Sequence, residues 1–188
     1  MKLLKKTGAM LLCLCLTAAC CAGCGFVGGQ TQETNATVPS PYEGLVGTVT
    51  AGGLATVYLP EEVAVVANDS YSSLGWQIAA RSGEVLILGT REDADLFAES
   101  GLEFPETLAD YAAFLNEKNQ FEKPLTLNEN GCWTTTYTGN MEKQEMYFFM
   151  VASEVEDAYW SVHFACNVDQ TADYEELFPY WASLMELK

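Results

Sequence analysis

The chain of 188 residues carries 26 acidic residues against 9 Lys and Arg, a formal charge of −17, while 49% of it is apolar and 12% aromatic. Aromatics at that level exclude a disordered acidic tail. The absence of a basic stripe excludes a nucleic-acid binder, because phosphate contacts need clustered Lys and Arg to release counterions, and the length fits one domain.

Residues 1–6 hold three lysines, and residues 8–19 carry no charge. A bilayer-crossing helix needs about 20 apolar residues, so this run reads as a cleaved signal peptide. It ends in Leu16-Thr17-Ala18-Ala19-Cys20, which resembles the lipobox of bacterial lipoproteins. In that family the cysteine thiol carries a diacylglyceryl thioether, and two acyl chains anchor a protein where one binds only marginally. Cys20 is therefore the expected lipidation site, with Cys24 after Ala22-Gly23 as the rival. A plain secretory signal cut near Ala19 or Ala22 is the remaining alternative. Cleavage after Ala19 removes three of the 9 basic residues and no acid, leaving 6 against 26, a balance of −20. An anionic leaflet repels such a surface, so the body should stand away from the membrane on its anchor.

Residues 20–42 are rich in Gly, Thr, Gln, Asn and Pro and read as a flexible tether. The expected division is a signal at 1–19, a lipidated tether at 20–42 and one domain at 43–188. Of seven cysteines only Cys132 and Cys166 fall in that domain, with no paired spacing or histidine cluster for zinc.

The domain opens with five strand-like runs, 45–50, 55–59, 63–67, 76–80 and 84–88, punctuated by Gly52-Gly53, Pro60, Asn68-Asp69 and Ser82-Gly83. Spacings this close leave no room for crossover helices, so the pairing should be antiparallel. Thr90-Arg91-Glu92-Asp93 has the form of a capping box and predicts a short helix to about residue 99. Thr107-Leu108-Ala109-Asp110 repeats the form, and Leu108, Tyr111, Ala112 and Leu115 follow at helical spacing to about residue 118. Three strands are then predicted at 131–138, 145–152 and 159–166, joined at Gly139-Asn140 and at 154–157. The middle one is apolar on both alternations and needs cover on both faces. A closing helix over about 172–187 presents Tyr174, Leu177, Phe178, Trp181 and Met185, and Pro179 inside it should kink or split it. These elements predict an α+β fold, a three-layer α/β/α sandwich around an antiparallel sheet.

This order resembles the PsbP-like superfamily and its DcrB-like bacterial lipoproteins. Val57-Tyr58-Leu59-Pro60, Trp76-Gln77-Ile78, Leu108-Ala109-Asp110-Tyr111-Ala112, the runs 147–151 and 159–164, and Tyr174 to Trp181 carry the resemblance. It implies a binding or assembly factor, with no shared catalytic residue to carry over, because these motifs describe a core and not a site.

Each candidate for chemistry has a plainer reading. His163 alternates with Tyr159, Ser161 and Ala165 and lacks a nucleophile elbow or paired acid in sequence. Cys132 and Cys166 should remain thiols, because a strand between them sets them about two ladder spacings apart. Trp133, Tyr137, Tyr147, Phe149, Tyr159 and Trp160 serve as core or as a ligand groove, Trp133 or Tyr137 being the one expected to remain exposed. Asp93 with Asp95, and Glu154, Glu156 and Asp157, lack the alternating ligands of a calcium loop. No catalytic, cofactor-binding or metal-ligating residue is assigned. The expected function is a non-catalytic module that binds or assembles with another envelope protein. Capture of a small molecule or calcium, or a hydrolase site built from distant residues, are the alternatives.

Overall fold

A computed structural model describes residues 37–39, 43–66, 74–141 and 143–188. The signal peptide, Cys20, Cys24 and most of the predicted tether lie outside the described residues.

The central element is a seven-stranded sheet, every neighbour antiparallel, in the order β4-β5-β6-β10-β9-β8-β7. Its strands are β4 (Ala64–Val65), β5 (Ile78–Arg81), β6 (Val85–Asp93), β7 (Thr126–Leu127), β8 (Trp133–Met141), β9 (Gln144–Val155) and β10 (Ala158–Asn167). A second sheet of four strands, ordered β1-β2-β3-β11, joins β1 (Thr37–Pro39), β2 (Leu45–Thr50), β3 (Ala55–Pro60) and β11 (Glu186–Leu187). β1 falls inside the stretch read as tether.

One face of the larger sheet is covered by α1 (Ala94–Glu99) and α2 (Leu108–Asn119), whose Phe97, Tyr111, Ala112 and Leu115 meet Met150, Ala152 and Tyr159. The other face packs Ile87, Phe149, Val151, Trp160, Val162 and Phe164 against Val57 and Leu59 of β3 and against Phe178 and Trp181. Phe178 and Trp181 belong to α4 (Leu177–Ser183), which follows the short α3 (Thr171–Tyr174). β9 thus sends Phe149 and Val151 to one core and Met150 and Ala152 to the other, the double cover its sequence requires. The chain is α+β with an antiparallel sheet buried on both sides, and one of its outer layers is shared between helices and the smaller sheet.

Three local expectations are corrected. Residues 90–93 are strand, not helix: β6 stays in register with β10 from Cys166↔Val85 to Ala158↔Asp93. A ladder that long outweighs one capping motif, and Thr90 instead meets Ser161, Oγ1 to Oγ, at 2.8 Å. Asp93 becomes the N-cap of α1, accepting the Leu96 N–H at 3.1 Å. The second box forms where expected. Thr107 accepts the Asp110 N–H at 3.1 Å, but the Asp110 carboxylate returns to the threonine hydroxyl, at 2.7 Å, and not to its amide.

Gly139-Asn140 is not a turn. β8 continues through it, and Met141↔Gln144 closes the hairpin across two residues, with Lys143 left-handed at φ 71°. A Cβ at Gly139 would lie 3.4 Å from the Phe148 ring, so the glycine makes room for that aromatic.

The closing helix does break, but ahead of its proline. Glu175 and Glu176 separate α3 from α4, and Pro179 is the third residue of α4, where its missing N–H has no intrahelical acceptor to lose. Residues 186–187 are strand because the edge of β3 captures them, Glu186↔Thr56 and Leu187↔Ala55, and the Lys188 N–H reaches Leu54 O at 2.8 Å.

Gly89 of β6 has the least room of the described glycines. A Cβ there would lie 2.9 Å from Ile78 Cδ1, 3.1 Å from Ile78 Cβ and 3.2 Å from Val162 Cγ2. Ile78 Cβ cannot withdraw without moving β5, so Gly89→Ala should cost about 1–3 kcal/mol as an overpacked site. Urea denaturation checks this, and an unchanged midpoint would mean that β5 yields.

Candidate functional site

His163 lies on the α1–α2 face of β10, in register with Leu88 of β6 and Met150 of β9. Its Nδ1 lies 2.9 Å from the Tyr137 hydroxyl, and Trp76 meets the ring edge-on at 5.7 Å. Tyr137 is itself stacked on Phe148 at 4.7 Å and tilted against Phe121 at 4.9 Å. Desolvation in this aromatic setting lowers the His163 pKa to about 4 and raises that of Tyr137 well above the usual phenol value. The imidazole is therefore neutral near pH 7, hydrogen-bonded to a phenol that stays protonated.

The other polar groups on this face are engaged with one another. Tyr111 donates to Glu92 Oε2, and Ser161 Oγ lies 2.8 Å from Thr90 Oγ1. Cys166, with its thiol pushed up to about 11 chiefly by burial, points to the opposite face of β10. A histidine-activated nucleophile would need one of these groups on the imidazole, whereas the side-chain hydrogen bond that His163 makes among the described residues is to Tyr137.

Cys132 and Cys166 are free thiols. β9 separates them as the meander requires, and they are also displaced along it, since Trp133 pairs with Ala152 whereas Cys166 pairs with Tyr147. That offset alone is on the order of 20 Å. Of the six aromatics, Phe149, Tyr159 and Trp160 are buried, while Trp133, Tyr137 and Tyr147 are half-buried.

Arg91 joins Asp93 to Asp157, a link that no local spacing announces. Arg91 Nη1 donates to Asp93 at 2.9 Å and its Nη2 to Asp157 at 3.0 Å, so the cation between these carboxylates is the chain's own guanidinium. Among the described residues no group of three His, Cys, Asp or Glu is arranged to hold a metal ion.

A cleft of about 490 Å³ opens between the β3–β4 connection, the β5–β6 turn and helices α3–α4. Tyr174, Leu177 and Trp181 give it an apolar wall, and Glu62, Glu84 and Asp173 give it an acidic rim; none of its described lining residues is basic. Tyr174 donates to Glu84 Oε2 at 2.9 Å and packs on Phe178 at 5.4 Å. Its pKa is pushed up to about 12, first by desolvation and then by that carboxylate. Leu177 is 40% exposed and Tyr180, one turn on, 46%. Helical spacing of the aromatics is visible in sequence, but the convergence of Glu62, Glu84 and Asp173 depends on tertiary folding.

No family model and no curated protein matches the chain. Among solved structures it is similar to the solution structure of cyanobacterial PsbP (CyanoP) from Synechocystis sp. PCC 6803, with 11% identity and a TM-score of 0.43, across 89% of this chain and 98% of that one.

Proposed function

We propose that this chain is a bacterial lipoprotein of PsbP-like type, held at the extracytoplasmic face of the cell membrane by a diacylglyceryl thioether, with chains such as palmitate, on Cys20. Its body serves as a non-catalytic module that binds an envelope protein. The observation that carries the binding role is the cleft beside α3 and α4. Its volume lies in the range of ligand sites, it combines aromatic and aliphatic walls with an acidic rim, and exposed Leu177 and Tyr180 extend its apolar surface. A basic or neutral side chain of a partner fits that chemistry. The same cleft favours capture of a small cationic molecule as the second reading. Calcium finds less support, because the Arg91 guanidinium already occupies the space between Asp93 and Asp157 and pairs with both.

Anchoring is tested by Cys20→Ala followed by membrane fractionation. The variant should move almost wholly to the soluble fraction. Unchanged retention would transfer the lipid to Cys24 or remove lipidation from the reading. The binding role is tested by cross-linking in the native envelope, where Glu62→Lys with Asp173→Lys should abolish the principal adduct.

A further inference from the structure

β8 has a longer edge than the strand that covers it. β7 pairs only Thr126 with Thr134 and Leu127 with Trp133, whereas β8 continues to Met141. The chain departs from this edge for a local reason: the Leu125 N–H bonds to Asn116 Oδ1 at 2.9 Å as its side chain enters the core, and Pro124 has no N–H to offer. Thr135 Oγ1 donates to Lys123 O at 2.5 Å, and pairing ends there.

The two-residue turn fixes which backbone groups face outward. Met141 and Gln144 form the closing pair, so alternate residues back from Met141 direct their amides to β9. Thr136, Thr138 and Asn140 direct theirs to the open side, in phase with Thr134, which faces β7. No other described strand pairs with these three residues.

Proteins normally guard such an edge with charge, proline or a covering side chain. β8 reads Trp-Thr-Thr-Thr-Tyr-Thr-Gly-Asn-Met, with neither a charge nor a proline. The contrast with β6 is instructive, because its overhang beyond β5 is plugged by Gln77, whose Oε1 accepts the Arg91 N–H at 3.0 Å while its Nε2 donates to Arg91 O at 3.4 Å.

We infer that the open edge of β8, Thr136 to Met141, takes up an extended, uncharged or basic segment of a partner protein as an additional antiparallel strand. This rests on the binding-module reading and supplies it with a mode of recognition, in which main-chain hydrogen bonds give affinity and alternate side chains give selectivity. A second copy is the less suitable occupant, because it would bring two bodies of the same strongly acidic charge edge to edge. Thr136, Thr138 and Asn140 present polar side chains on one face of the new strand, and Tyr137 with Phe121 presents rings on the other, so the segment should alternate β-branched and polar residues.

The test uses the full chain in a neutral detergent and the synthetic peptide Lys-Thr-Val-Thr-Val-Thr-Val-Lys. Saturable binding is expected, with slowed hydrogen exchange at the Thr136, Thr138 and Asn140 amides. Thr138→Pro, which removes an outward amide and no bond to β9, should weaken binding at least tenfold, and the same peptide N-methylated at alternate amides should not bind to the unaltered chain. Absence of saturation, or equal binding of the methylated peptide, overturns the inference. A dimer that Thr138→Pro dissociates also overturns it, in favour of a second copy. A chain that stays on the membrane yet ignores the peptide leaves the anchored module standing without this edge; one that takes the peptide but is not membrane-bound does the reverse.

Discussion

Trp160→Ala should cost about 4 kcal/mol, since Trp160 is the bulkiest of the fully buried side chains. Trp160 is fully buried near the start of β10, in the core that joins the large sheet to β3 and α4. Truncating a buried Trp removes its transfer free energy and leaves a cavity, typically 3–5 kcal/mol together. The indole also has a polar duty, since its Nε1–H donates to Lys188 O at 3.3 Å and so holds the residue that follows β11. Trp160→Phe keeps most of the ring and loses only that bond and some volume, so about 1–2 kcal/mol is expected from it. Urea denaturation of both variants checks the pair, with the midpoint moving and the slope constant. A loss below about 2 kcal/mol for Trp160→Ala would show that the two sheets close over the gap. Since a domain is stabilised by only about 5–15 kcal/mol in total, the smaller sheet and the α4 wall of the cleft should loosen first.

The parts of the fold legible in sequence are those whose signal is local. β9 declares its two-sided burial through Met146 to Val151, and β10 declares its faces through the alternation of Trp160, Val162 and Phe164 with Ser161 and His163. Thr107 and its α2 are equally plain, because a cap and a helical face lie within one dozen residues. What failed was decided at long range. The Thr90 motif gives way to β10, whose Ser161 is 71 residues on. Residues 186–187 leave the helical pattern because β3 offers them an edge 130 residues earlier, Glu186↔Thr56. Gly139 has the look of a turn residue, yet its use is to admit the Phe148 ring.

The candidate surfaces follow the same rule. His163 is readable as a strand histidine, and its partner Tyr137 lies 26 residues away on the far side of β9. The ion pair of Arg91 with Asp157 spans 66 residues. The cleft draws its acids from three separate stretches. The open edge of β8 depends on where β7 stops, which Pro124 marks only once the ladder is known. Local chemistry names the residues, and topology decides which of them meet.

Protonation of His163 should be the main single-site source of acid sensitivity. Its folded pKa is about 4 against an ordinary 6.5, so near neutrality neither the folded nor the unfolded state carries the proton. As pH falls below 6.5 the unfolded chain takes up a proton that the folded chain refuses, and unfolding is favoured by about 1.4 kcal/mol per pH unit. The stability belonging to the neutral ring is thus intact above 6.5 and is lost progressively down to about 4, to a total on the order of 3 kcal/mol. The groups against the ring are Tyr137, Trp76, Leu88 and Met150, none of which carries a negative charge to hold the imidazolium. Carboxylates titrating in the same window are common to the wild type and to His163→Gln, so the difference between their stabilities isolates the histidine. That difference should be flat from pH 8 to about 6.5 and then turn against the wild type, and parallel curves down to pH 4 would refute the desolvated histidine. Charging the ring would also fix Nδ1 as a donor to the Tyr137 hydroxyl, the bond by which β10 reaches β8 across β9, in a setting with no carboxylate to hold the charge, and hydrogen exchange along β8 should rise over the same range of pH.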